Sequence, residues 1–428
     1  MGKVVDQTID KPRILDKALQ TYLETFGAVC IEGPKWCGKT HLASKHAKSE
    51  VLLSDPANNF QNRHLAEMEP SLILEGATPR LIDECQGVDA IWDAVRNTVD
   101  HRGKTGQFIL TSSSTPKREN RVHSGAGRIG KMRLRTMSLY ESGDSSGAVS
   151  LKDLLDGKLE PRFFGETSLA HLATLIVRGG FPGAISLPHE NAQLVAKSYL
   201  ETLIENDAKD IDGRRYDTRK MHLLLRSLAR NESTTATKKK LAADIREKDG
   251  GSLDLDTVAA YLDIFDRLYL LDNQKPFSSS VRSSVRLKQA EKWHLCDPAL
   301  TCALLDLTPE KLIGDLETFG FLFEALVERD LRVYAESFGA SLFHYQDYSS
   351  REIDAVIELK DGRWCAFEIK LGANQIDMAA KNLSGIRDKI AAEGGKAPSL
   401  LCVIAGLSNA AYVRPDGVCV VPLTALKD

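Results

Sequence analysis

Residues 33–40 read Gly33-Pro34-Lys35-Trp36-Cys37-Gly38-Lys39-Thr40, a full match to G-x-x-x-x-G-K-[ST], and they follow a short apolar run, Ala28-Val29-Cys30-Ile31. In such a loop the glycines let backbone N–H groups turn inward on phosphate oxygens, Lys39 reaches the β- and γ-phosphates, and the Thr40 hydroxyl ligates Mg²⁺. A helix that opens where the loop closes adds its positive N-terminal end. The stretch predicts a nucleotide-binding α/β domain, with residues 33–40 and His41 as nucleotide contacts and ATP with Mg²⁺ as the ligand.

Working outward, a phosphate loop needs an acidic strand end to hold the metal and orient a water. Residues 79–86, PRLIDECQ, supply one: Leu81-Ile82 ends an apolar strand, Asp83 is the Mg²⁺-side carboxylate with Thr40, and Glu84 is placed to polarise the attacking water. The competing reading, that Asp83-Glu84 caps a helix beginning near Gly87-Val88, loses ground because the loop lies upstream. A third apolar run, Gln107-Phe108-Ile109-Leu110, ends in Thr111-Ser112-Ser113-Ser114, and Gly125-Ala126-Gly127-Arg128 puts an arginine on a glycine-rich segment. Arg128 is the candidate arginine finger, for its own chain or a neighbouring copy in a homo-oligomer; a solvated loop arginine is the alternative.

The 428 residues exceed one ordinary core, and a length prior suggests about three domains. Charged residues make up 27% and the net charge is -3, so no overall basic surface points to nucleic acid, although a local patch is compatible with these values. The eight cysteines show no metal-ligand spacing and read as reduced, mostly buried thiols. Cys37 is the exception, expected to be an exposed bystander within the loop. The first fifteen residues lack the apolar core of a signal peptide and no run approaches eighteen apolar residues, so a cytoplasmic chain without membrane contact is expected.

Past a turn-rich break at residues 142–149, the chain to Leu203 has helical spacing, interrupted by Arg178-Gly179-Gly180-Phe181-Pro182-Gly183. Residues 221–297 read as a short helix at 241–245, a Gly250-Gly251 turn, a helix capped by Asp256, a strand at 268–271 and a basic hairpin, which is the pattern of a winged helix-turn-helix. The hairpin, 278–292, carries Arg282, Arg286, Lys288 and Lys292, candidates for contact with the phosphates of double-stranded DNA; a solvated hairpin is the alternative.

Residues 351–371, REIDAVIELKDGRWCAFEIKL, form two alternating strands around Lys360-Asp361-Gly362. A three-residue loop with glycine in the left-handed third position pairs Leu359 with Arg363 and so sets Asp354 opposite Glu368, with Lys370 on the same face. Two carboxylates near one Mg²⁺, with a lysine beside them, suit phosphodiester chemistry. The alternative is an ion-pair network on a half-exposed sheet.

The series GPKWCGKT, LIDECQ, FILTSSS, GAGR and Gly179-Gly180-Phe181-Pro182 resembles the bacterial and archaeal AAA-type P-loop ATP-binding proteins that carry a C-terminal domain of unknown function. Those relatives often have arginine where this chain has Lys35. The resemblance implies a polar γ-phosphate sensor among Thr111, Ser112 and Ser113, with Ser112 the residue assigned, a helical lid, and Arg178 as its phosphate-facing arginine. The Asp354, Glu368-x-Lys370 set, with Glu324 on a preceding helix, resembles the PD-(D/E)XK nuclease fold. The expected architecture is α/β multidomain: a P-loop ATPase domain (1–145), a helical lid (146–212), a winged-helix domain (213–308) and a nuclease-like domain (309–428). The expected function is a Mg²⁺-dependent ATPase switch coupled to the DNA-binding and nuclease-like parts. An ATP-regulated metal-dependent DNA endonuclease and an ATP-driven signalling or defence scaffold stand as alternatives.

Overall fold

The computed structural model describes residues 12–115, 124–211, 213–278, 290–347 and 351–428. The chain forms two compact, interleaved units. The first takes the chain through Thr136, then Thr202–Tyr216 and Leu262–Leu270, and the second takes Met137–Glu201, Asp217–Tyr261 and Leu271–Asp428. Among the described residues, no helix is long and apolar enough to cross a membrane.

In the first unit, β1 (Ala28–Glu32), β2 (Ser49–Leu52), β3 (Arg80–Asp83), β4 (Phe108–Ser112) and β5 (Ile129–Arg133) form a parallel sheet in the order β2-β3-β4-β1-β5. Period-2 alternation divides its core between two faces. Ala28, Cys30, Ile82, Phe108 and Leu110 pack against the helix Ala90–Arg102, while Val29, Ile31, Leu81 and Ile109 pack against Leu19 and Leu42. Both faces are covered, so β1 and β4 read as unbroken apolar runs rather than alternating ones.

In the second unit the strands are β6 (Val149–Ser150), β7 (Arg162–Phe163), β8 (Lys275–Pro276), β9 (Ser341–Gln346), β10 (Glu352–Glu358), β11 (Trp364–Lys370), β12 (Leu400–Ala405), β13 (Ala410–Val413), β14 (Cys419–Pro422) and β15 (Leu426–Lys427). All but β6 and β15 form one mixed sheet in the order β7-β13-β14-β12-β11-β10-β9-β8. The helix Ile376–Ala392 buries Ile376, Ala380, Leu383 and Ile390 in the core cluster shared with Val356, Ala366 and Val403 of this sheet. The helix Leu316–Ser337 precedes β9 and β10.

Several expectations change. The first segment of the first unit runs to Thr136, and two later segments join it. The segment expected as a lid, 146–212, divides: 146–201 belongs to the second unit, where the helix Leu169–Arg178 packs on the helices Pro298–Leu304 and Pro309–Gly314. The helix expected at 241–245 spans Lys238–Asp249, and the next, Leu255–Arg267, is capped by Asp254, whose carboxylate accepts from Thr257 N at 2.8 Å. No strand forms at 268–271. Tyr269 turns left-handed there (φ 56°) and its hydroxyl lies 2.8 Å from that of Thr115. Antiparallel bridges join Leu271 to Leu295 and Gln274 to Lys292.

Candidate functional site

The phosphate loop is shaped by contacts that only glycine permits. A Cβ on Gly33 would meet the Leu134 carbonyl oxygen at 2.1 Å, and Gly38 sits at φ +99°. The helix Lys39–His46 starts directly after Gly38. Lys39 is buried, and its ammonium donates to the carbonyls of Gly33 (3.0 Å) and Pro34 (2.8 Å), which holds it along the inside of the loop. Lys35 pairs with Asp207 at 2.8 Å, while Trp36 is half exposed with a left-handed backbone.

Strand order explains the rest of the site. β4 lies between β1 and β3, so the polar end of β4 meets the loop on one side and the acidic pair on the other. The Asp83 carboxylate accepts from Thr40 Oγ1 and from Thr111 Oγ1, both at 2.7 Å. Thr111 Oγ1 also accepts from Glu84 N at 2.9 Å, steadying a left-handed Glu84 (φ 55°). The Glu84 carboxylate accepts from Ser113 Oγ (2.6 Å) and from the Gln86 amide. Burial pushes the Asp83 carboxyl above its ordinary range, against the two hydroxyl donors that favour its ionised form.

Four residues stand elsewhere than the sequence suggested. Ser112 does not face the acidic pair: its hydroxyl donates to Ser114 O at 2.6 Å, because alternation along β4 sends Thr111 and Ser113 to one side and Ser112 to the other. Cys37 is fully buried, bonded through Sγ to Leu134 O, and burial raises its thiol pKa, so it is neither exposed nor activated. Arg128 precedes β5, whose Ile129 aligns with Ala28 at the start of β1. The phosphate loop leaves the far end of β1, about 16 Å away at 3.3 Å per residue, so Arg128 does not reach phosphates of its own chain. It pairs instead with Asp100 at 2.8 Å. Arg178, too, is engaged elsewhere, by Asp144 at 2.6 Å.

In the second unit, β10 and β11 pair with Ala355 opposite Phe367, and the Leu359 N to Arg363 O bond (2.8 Å) closes the three-residue loop with Gly362 at φ +78°. Asp354 therefore faces Glu368, as the loop length predicts. A bulge between Ile353 and Val356, where β10 pairs with β9, takes in Asp354 and Ala355. Lys370 Nζ contacts Asp354 Oδ2 (3.0 Å) and Glu368 Oε2 (2.6 Å), Ile369 N donates to Asp354 (2.8 Å), and Asn382 donates to Glu368 (2.7 Å). Glu324 accepts from Lys292 Nζ at 2.6 Å.

Asp354, Glu368 and Lys292 are buried in this network, while Lys370 remains partly exposed. Burial, then the Asp354 charge, pushes Glu368 up to about 8, with Lys370 opposing. Asp354 is held low: burial works to raise it, and Lys370 and Lys292 outweigh burial. Lys292, expected on a basic hairpin facing phosphates, is a buried ion-pair partner instead. Arg282, Arg286 and Lys288 lie outside the described residues.

Residues 25–142 match the family model of an AAA domain. The chain carries an AAA-type P-loop ATPase domain. Beyond it, residues 169–311 and 319–426 match two domains of unknown function (DUF8612 and DUF4143). No curated protein has a significant sequence match to the chain. Among solved structures it is similar to a Walker-type ATPase of Pyrococcus abyssi, at 11% identity and a TM-score of 0.43, over 68% of this chain and 94% of that one. It is also similar to the ORC1 protein of Aeropyrum pernix in complex with DNA, at 11% identity and a TM-score of 0.30, over 71% and 95%. A third is the ORC2 protein of Aeropyrum pernix, at 13% and 0.32, over 72% and 96%.

Motif reading missed Arg13, which precedes the matched residues 25–142 and contacts the phosphate loop. Arg13 is buried and donates to Cys37 O and to Arg135 O, both at 2.7 Å, which braces the phosphate loop from behind. No local pattern marks it, since its partners lie 24 and 122 residues away.

Proposed function

We propose that the protein is a Mg²⁺-dependent ATPase whose cycle drives a switch acting on duplex DNA. The observation that carries the catalytic part is the single hydrogen-bonded chain from Thr40 through Asp83 and Thr111 to the backbone of Glu84, joining the phosphate loop to the acidic strand end.

A hydroxyl and a carboxylate on adjoining elements form an oxygen donor set suited to Mg²⁺, so Thr40 and Asp83 would hold it, and the ion supplies neutralisation of phosphate charge. The chain's own residues do the rest. Lys39 binds phosphate oxygens, the loop N–H groups orient them, and Glu84, fixed by Ser113 and Gln86, takes a proton from the attacking water.

DNA contact is supported by three helices followed by an antiparallel bridged pair, the layout of a winged helix, and by the arginines and lysine that the sequence places between the bridged segments. For the nuclease-like residues the donor set does not fit a metal: Lys292 and Lys370 engage the carboxylates, and among the described residues no group of three or more His, Cys, Asp or Glu is placed to hold one.

The test is ATP turnover with and without duplex DNA, for the wild type and Glu84→Gln. The expectation is stimulation by DNA, and a variant that binds ATP but turns over at least roughly 100-fold more slowly, within the usual range for a general base. Equal turnover in the variant sinks the role of Glu84, and indifference to DNA sinks the coupling.

A further inference from the structure

The sheet of the second unit sets Asp354 against Glu368, and the helix Leu316–Ser337 brings Glu324 near Asp354, an arrangement resembling a nuclease fold that implies a divalent ion. The polar contacts point another way. Glu324 accepts from the ammonium of Lys292, which is 3% exposed. Asp354 and Glu368 share the ammonium of Lys370, at 3.0 and 2.6 Å. Asp354 Oδ2 also accepts from Ile369 N, and Glu368 Oε1 accepts from the Asn382 amide.

Mg²⁺ would need carboxylate oxygens at about 2.0–2.1 Å and sheds its own water reluctantly. To bind here it would have to displace cations already in place, because adding it to three carboxylates and two ammonium groups turns a nearly balanced cluster positive.

Lys292 arrives from outside the sheet. It is bridged to Gln274 by two backbone bonds of 3.0 Å, and the Gln274 amide donates to the carbonyls of Asp354 (3.1 Å) and Phe343 (2.9 Å). The bridged segment is thus tied twice, to the sheet through backbone carbonyls and to the helix Leu316–Ser337 through Glu324.

We propose that Lys292 and Lys370 stand in for the metal, so that the cluster is a metal-independent strut pinning the segment around Lys292 to the C-terminal sheet rather than a nuclease centre. The proposal does not rest on the ATPase reading, and its test uses no nucleotide.

Full-length Asp83→Asn protein, which silences the phosphate-loop site, is titrated with Mn²⁺ by calorimetry and melted with and without it. No binding below millimolar Mn²⁺ and no shift in Tm are expected. Mn²⁺ binding that disappears in Glu324→Gln or Glu368→Gln overturns the proposal.

In the same background Lys292→Met leaves a buried carboxylate unpaired and lowers the Tm by roughly 5–10 °C. Lys292→Met with Glu324→Leu removes both charges and recovers most of the loss. A single variant that melts like its parent, or a double variant that melts below the single one, also overturns it.

Discussion

Thr111→Val isolates the residue that joins the two acids of the ATP site. Valine has nearly the shape of threonine, and Thr111 is fully buried, so the substitution exchanges a hydroxyl for a methyl with little change in packing. Two bonds are lost: the donor to Asp83 at 2.7 Å and the acceptor for Glu84 N at 2.9 Å. A hydrogen bond to a charged group contributes about 1.5–3 kcal/mol, and a buried N–H left unpaired costs about 1–3 kcal/mol. Asp83 keeps its Thr40 donor, which places the sum near the lower half of that range, about 3 kcal/mol. For a domain of this size that is a fall in Tm of roughly 6–12 °C.

The left-handed backbone of Glu84 loses its tether in this variant, and a displacement of about 1 Å in a catalytic group costs up to roughly 100-fold in rate. Burial already raises the Asp83 carboxyl, and removing a donor that favours its ionised form raises it further. The acid limb of the turnover profile therefore moves to higher pH. The assays are thermal melting and steady-state ATP hydrolysis across pH, with Ser113→Ala, whose hydroxyl donates to Glu84 and accepts from Gln86, as the comparison. A Thr111→Val protein within about 2 °C of wild type, with unchanged turnover and acid limb, would refute the reasoning.

Three further outcomes follow from the structure. Arg13→Ala unpairs the Cys37 and Arg135 carbonyls behind the phosphate loop, and is expected to raise the KM for ATP about tenfold, the weight of one charge-assisted hydrogen bond, while changing kcat less. Arg128→Ala removes an exposed pair with Asp100, so stability should change by less than about 0.5 kcal/mol and turnover of dilute protein should not change. A defect that appears only as protein concentration rises would assign Arg128 to a neighbouring subunit. Glu368, flanked by Asp354 and Lys370 and raised to about 8 from 4.5, holds a proton in the folded protein that the unfolded chain gives up. Its contribution is full below pH 4.5 and is lost as pH rises through 8, whereas that of Asp354, whose pKa is lowered, is full above about 3.8 and is lost only as pH falls below it. Glu368→Gln should flatten the decline in Tm between about pH 6 and 8, and an unchanged slope would contradict burial and the Asp354 charge as the cause of the raised carboxyl.

Local chemistry explains which readings came through unaltered. Gly33 and Gly38 are dictated by backbone conformation and close approach, and both belong to one eight-residue motif. The register of Asp354 against Glu368 follows from counting out of a three-residue loop with Gly362 at its left-handed third position, where a two-residue Asp-Gly turn would have put the two carboxylates on opposite faces.

The failures have the opposite character. Ser112 lost its place to Thr111 and Ser113 because which side of β4 meets the acids depends on β3 lying beside it. Cys37 is buried by Leu134, and Lys292 by Glu324, both distant in sequence. Charge alone made Lys292 resemble its neighbours on the basic hairpin, since composition does not report burial.

The sequence by itself determined that a phosphate loop, an acidic strand end and a charged hairpin exist, because each is a short-range pattern of backbone geometry and side-chain type. Tertiary structure alone decided which hydroxyls reach Asp83 and Glu84, that Arg128 stands at the wrong end of its own sheet, and that lysines close the C-terminal carboxylates. These outcomes depend on strand order and on burial, and both arise from contacts between residues far apart along the chain.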